Sequence, residues 1–176
     1  METKEFLEKV LGDGYYSVLG LGDKKIQSFH ATIDDVIERA NELDAEGINA
    51  YFGLATFETN KDRRVTNVKS LSSFYLDLDC GVGKEYTNQN EAFLDLKRFV
   101  KATGLPRPML INSGYGIHVY WVLTESVSYA EWLPVAQGLK DMCIRHNLSA
   151  DNGVTADAAR VLRVPGTHNH KRGTQK

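Results

Sequence analysis

Two aspartates, Asp77 and Asp79, interrupt the run SSFYLDLDCG, residues 72 to 81, which is otherwise as apolar as a buried strand. Alternate side chains of a strand share a face, so Phe74, Leu76 and Leu78 fall on one side and Tyr75, Asp77 and Asp79 on the other. Adjacent carboxylates repel, and the arrangement is costly unless a cation, a basic partner or water compensates it. Two readings follow: a strand end beside Gly81 and Gly83 whose aspartates are solvated, or a divalent metal site.

Two further stretches carry chemistry. In NSGYGIHVYW, residues 112 to 121, a glycine turn leads into a strand with Ile117, Val119 and Trp121 on one face and His118 and Tyr120 on the other. Gly114 and Gly116 would let backbone N–H groups approach an anion, and Ser113 adds a hydroxyl; alone, the pattern is equally a hairpin with a structural histidine. In ADAARVLRVPGTHNHK, residues 156 to 171, Arg160 and Arg163 sit in an otherwise apolar strand. Arginine keeps its charge, so both need anionic partners: internal aspartates or bound phosphate. Asp157 and, in the loop SADNGV, Asp151 are the nearby acids; Asp157 is preferred.

The elements that must position these residues can be read from periodicity. TKEFLEKVLG reads as a helix with Thr3 as cap, and ATIDDVIERANELDAEG as a second with Thr32 as cap and Gly47 beyond its end. YYSVLGLG and INAYFGLATFE read as strands, and the polar stretch from 59 to 70 as a loop between subdomains. Then come a strand from Phe74 to Asp79, a helix closed by Gly104, the strand PMLIN, the strand IHVYWVL, a helix opened by the capping box Ser128 and Glu131 and kinked by Pro134, and the strand ARVLRV. This order is β-α-β-β-α-β, a split βαβ arrangement with helices on one sheet face and a ligand on the other. In that topology the last strand pairs with the first and brings Asp157 to Asp79. The expected fold class is α+β: an RRM-like split βαβ subdomain over residues 61–176, packed with an N-terminal α/β subdomain over residues 1–60.

Composition bounds the class. The 176 residues are 42% hydrophobic and 25% charged, as in ordinary globular proteins, and no apolar run suits a signal peptide or membrane span, so a cytoplasmic chain is expected. Cys80 and Cys143 lack the paired spacing of a disulfide framework or thiolate zinc site. The net charge of −2 is unlike that of a nucleic-acid binder, yet no acidic residue follows Asp157, while Arg160, Arg163, His168, His170, Lys171, Arg172 and Lys176 do. That basic end reads either as a solvated tail or as a phosphate contact, and its finish in HKRGTQK as a chain cut from something longer.

Together the three stretches resemble the archaeo-eukaryotic primase superfamily, and most of all its phage and plasmid branch of primase-polymerases. The shared motifs are D-x-D (Asp77-Leu78-Asp79), S-G-x-G-x-H (Ser113 to His118), and an acid followed by R-V-L-R-V-P-G-T-x-N-x-K (Asp157 to Lys171). The resemblance implies template-directed nucleotidyl transfer that makes and extends primers. Asp77, Asp79 and Asp157 would hold two ions of Mg²⁺ or Mn²⁺, the hard cations suited to oxygen ligands. His118 would contact the incoming nucleoside triphosphate (NTP or dNTP), with Ser113, Gly114, Gly116, Lys84, Arg160 and Arg163 completing the nucleotide site. Arg63, Arg64, Lys171 and Arg172 would contact single-stranded DNA template and primer, and a helicase domain or protein would act beside it. His118 lies early in its strand, so reaching the aspartates requires a strand stagger. The competing readings are an HUH-type initiator that nicks single-stranded DNA with a tyrosine, for which His168 and His170 offer a histidine pair but the helix SYAEWLPVAQGLK only Tyr129 at its very start, and a non-catalytic DNA-binding module.

Overall fold

The computed structural model describes residues 1–170; the expected DNA contacts Lys171 and Arg172 lie outside the described residues. Its first third forms a helix α1 (Thr3–Val10), strands β1 (Tyr16–Leu21) and β2 (Lys25–His30), helix α2 (Ile33–Ala45), and strands β3 (Asn49–Gly53) and β4 (Thr56–Phe57). Strand β5 (Val68–Asp79) follows, then α3 (Gln89–Thr103), β6 (Met109–Asn112), β7 (Gly116–Val127), α4 (Tyr129–Arg145) and β8 (Val161–Arg163).

Local signals explain most boundaries. Thr32 accepts the Asp35 N–H at the start of α2, Asn88 accepts that of Glu91 at the start of α3, and Ser128 with Glu131 forms the expected capping box of α4. Gly104 ends α3 in the left-handed conformation at φ 71°. Thr3 does not cap α1; the cap position falls to Glu2, and the Thr3 hydroxyl instead donates to the Pro165 carbonyl at 3.0 Å. The α4 assignment continues through Pro134, early enough that only a bond to residue 130 is forfeited. The loop expected over 59 to 70 is shorter, because a 3-10 turn (Val65–Asn67) leads directly into β5. β2 has no counterpart among the sequence-read strands; it is a half-exposed edge strand whose alternation is weak.

The strands form two four-stranded sheets, in the orders β2-β1-β3-β8 and β4-β5-β7-β6. The α+β class holds, and so does the chain order β-α-β-β-α-β from β5 to β8. The pairing of the last strand differs from expectation: β8 lies antiparallel to β3, with Tyr51 opposite Arg163, and β4 occupies the place beside β5. A boundary between residues 60 and 61 therefore does not separate the sheets, since each takes one strand from the other side of it.

On one face of β5 and β7, Leu76, Leu78, Val119 and Trp121 meet Leu96 and Phe99 of α3 and Leu139 and Cys143 of α4. The opposite face is not fully open. Tyr75 and Tyr120 are buried there in a second core with Phe6 of α1 and Phe52 of β3. Phe6 stands edge-on to Phe52 at 5.9 Å and to Tyr120 at 5.1 Å, so one α1 ring joins both sheets. Only the end of this face carrying Asp77, Asp79 and His118 remains as a cleft. Phe6→Ala should cost about 3–5 kcal/mol, read as a lower urea midpoint; a loss under about 1 kcal/mol would show that the sheets hold together without this ring.

Candidate active site

The site begins with register. Asp77 lies directly opposite His118 and Asp79 directly opposite Gly116 across the β5–β7 ladder, so no additional stagger is needed. His118 Nε2 stands 3.8 Å from Asp77 Oδ1. Gly116 is required by this approach: a Cβ there would collide with the Leu78 carbonyl oxygen.

Asp157 arrives by a different route from the one expected. Because β4 pairs only with the beginning of β5, the far end of that β5 edge is left for the segment after α4. The Asp151 N–H donates to the Asp77 carbonyl at 2.9 Å. The Tyr75 hydroxyl, on the same strand face as the aspartates, donates to the Asp157 carbonyl at 2.9 Å. These bonds draw Asp151 and Asp157 into one cleft of about 500 Å³ with Asp77, Asp79, Ser113, His118, Arg160 and Arg163.

Each cation in the cleft is held differently. Arg163 is 5% exposed and stacks over the Tyr51 ring at 5.0 Å; its Nη atoms donate to the Tyr51 hydroxyl and the His168 carbonyl, while Nε has no partner among the described residues. Arg160 is more open, with Nη2 at 3.5 Å from Asp151 Oδ2. Arg63 is anchored, donating to the Ala159 carbonyl at 2.8 Å and to Gln27. Arg64 is exposed in the preceding loop. Lys84 faces a neighbouring hollow and is paired with Asp79, which raises the lysine pKa through their hydrogen bond and mutual attraction.

The glycine turn contributes less to anion binding than expected. The Gly114 N–H donates to the Asn112 side chain and the Ser113 N–H to the Gly116 carbonyl, so these two donors are used within the turn. Neither Gly114 nor Gly116 lines the cleft; Ser113 and Tyr115 do. The polar cleft residues not anticipated as site residues are Tyr51, Tyr115 and Asn169, together with the loop acid Asp151, to which Asp157 is preferred on sequence. Tyr51 follows from the β3–β8 pairing, which has no local signature in the sequence.

Asp77, Asp79, Asp151 and Asp157 are hard oxygen donors of the kind Mg²⁺ or Mn²⁺ takes. They are not gathered as ligands: among the described residues no three His, Cys, Asp or Glu side chains are set to hold an ion. Asp79 turns to Lys84, Asp151 to Arg160 and Gly153, and Asp157 to the Ala159 N–H. His168 and His170 both bond Asp44, each at 2.8 Å, and this holds the Asp44 carboxyl below its usual range despite the opposing effect of burial. The HNH pair thus grips a carboxylate at the end of α2.

No protein-family model matches the chain. A replication protein of Clostridium perfringens is 31% identical over 136 residues, 76% of this chain; the chain spans 32% of that protein's length. The cyanophage S-2L primase-polymerase domain superposes with a TM-score of 0.64 at 16% identity, covering 92% of this chain and 78% of that one. The primase RepB′ gives 0.59 at 14% identity over 99% and 54% of the two chains. The polymerase domain of Mycobacterium tuberculosis ligase D, in complex with DNA, gives 0.52 at 13% over 88% and 59%. The chain has the archaeo-eukaryotic primase fold. That fold is what the chain shares with these primase and polymerase domains. No helix among the described residues is long and apolar enough to cross a membrane.

His118 has a testable protonation state. Burial, reinforced by Arg163 and opposed by Asp79, lowers its pKa to about 3, so its 3.8 Å approach to Asp77 is that of a neutral ring and not an ion pair. Between about pH 3 and the ordinary value near 6.5 the unfolded chain binds a proton that the folded chain refuses, so stability falls as pH is lowered through that window. From pH 6.5 to 5 the loss from this group should be about 2 kcal/mol. Denaturant titrations in chelator should show His118→Gln flattening that slope by about one proton. An unchanged slope would mean the ring is charged in the fold.

Proposed function

We propose that this chain is the catalytic part of a DNA primase-polymerase, performing template-directed, divalent-metal-dependent nucleotidyl transfer that makes and extends primers in phage or plasmid DNA replication. The observation that carries this reading is the convergence of Asp77 and Asp79, in register with His118 and Gly116, on one cleft with Asp157, Arg160 and Arg163. In the reaction a 3′-oxygen forms a bond to the α-phosphorus of a nucleoside triphosphate, and the bond to the pyrophosphate oxygen breaks.

On leaving Lys84 and the Ala159 N–H, Asp79 and Asp157 would join Asp77 in holding Mg²⁺ or Mn²⁺, which when bound supplies acidification of the hydroxyl and neutralisation of phosphate charge. His118, whose burial lowers its pKa to about 3 in the unliganded cleft, serves as a hydrogen-bonding group to the triphosphate. Arg163 is the fixed charge, immobilised against Tyr51, with Nε lacking a partner among the described residues. Arg160, loosely held by Asp151 and partly exposed, is the mobile one. Lys84 would have to leave Asp79 to reach phosphate, and Ser113 adds a hydroxyl at the rim. Gly114 and Gly116 serve by shaping the turn that sets the register.

Template and primer DNA would run past Arg63, Arg64, Lys171 and Arg172, with Arg63 also fixing the backbone beside Asp157. A helicase domain or protein acting beside this one belongs to the same reading. Incubation with single-stranded template, labelled nucleotides and Mg²⁺ or Mn²⁺, with and without an annealed primer, tests it. Asp77→Ala with Asp79→Ala should lower both priming and extension by more than about a hundredfold while leaving DNA binding in place. Activity retained by the double variant would overturn the site.

A further inference from the structure

A second surface has a chemistry of its own. β6 is the edge strand of its sheet, and beside it α3 leaves a groove of about 700 Å³ whose walls include Phe93, Val100, Pro108 and Leu110. Phe93 is 42% exposed and Leu110 36%, unusual for large apolar side chains on the same groove. At its rim stand Lys97 and Arg107, both exposed and without an ion-pair partner among the described residues. The backbone is open as well. Ser113 bonds Gly116 across the turn, so the antiparallel alternation makes Ile111 and Met109 the bonded positions toward β7 and turns the N–H and C=O of Leu110 outward.

We propose that this groove docks an extended acidic segment of a partner protein, which adds a strand to β6. The open backbone of Leu110 supplies main-chain hydrogen bonds, the groove takes apolar side chains at alternate positions, and Lys97 and Arg107 select acidic residues that flank them on the same face. β6 is only four residues long, which limits the addition to a short strand and not an open-ended stack. A peptide fits better than nucleic acid, because the walls are mainly aliphatic and, among the described residues, Phe93 is the one aromatic ring lining the groove.

The test uses the full chain and a fluorescein-labelled extended peptide with Leu and Phe at successive alternate positions, Asp at the next same-face position beyond each end and Thr between, followed by anisotropy, with a labelled single-stranded oligonucleotide in parallel. Lys97→Glu with Arg107→Glu should weaken peptide binding more than tenfold, and Phe93→Ala on the exposed face should weaken it several-fold, with nucleotidyl transfer and oligonucleotide binding unchanged. Amide shifts on peptide addition should concentrate at residues 109 to 112. No saturable binding, binding indifferent to the charge reversal, or shifts confined elsewhere would overturn the proposal. Loss of oligonucleotide binding in the charge-reversed variant with peptide binding intact would overturn it in favour of a nucleic-acid track.

Discussion

Two hydrogen bonds to β5 hold the cleft together: the Tyr75 hydroxyl to the Asp157 carbonyl and the Asp151 N–H to the Asp77 carbonyl. Both use backbone atoms of the acidic residues they position, leaving the carboxylates themselves to other partners. The Tyr75 side chain is buried, and its phenol is pushed well above its ordinary pKa by burial first and then by the Asp157 charge, so it remains a hydrogen-bond donor. A short β4 makes this possible, because a longer one would cover the edge of β5 that the Asp151 segment uses. The third acid of the site is thus delivered by a loop tied at two points, where a neighbouring strand was expected.

The electrostatics of the cleft follow from where each charge is anchored. Acids and cations are interleaved: Lys84 on Asp79, Arg160 near Asp151, Arg63 beside Asp157. Arg163 is desolvated yet kept in place by the Tyr51 ring and hydroxyl and by the His168 carbonyl. It also helps keep His118 neutral. A ligand that brings both phosphate and cation can exchange these internal pairs for its own without leaving a charge uncompensated.

What could be read from the sequence was what strands and helices declare locally. The β5 and β7 faces were legible because a long alternating strand leaves little choice of face, and α2, α3 and α4 because their capping residues bond as such residues do. The partner of β8 was not legible, because three residues of strand carry no mark of which edge they will join. Tyr51 was lost with that pairing, and the use of the Gly114 N–H inside its own turn depended on the side-chain geometry of Asn112. Asp151 lay in a loop, where pattern gives no direction to a side chain.

The exchange of strands between the two sheets has a consequence for how the molecule comes into being. β8 completes the first sheet from the far end of the chain, and β4 enters the second from the first third. During synthesis the first sheet therefore waits, missing an edge, until residues beyond 160 have emerged, and contacts of such long sequence separation form slowly. The cleft cannot assemble before then. Its chemistry becomes available only to a chain whose two halves have already closed on each other.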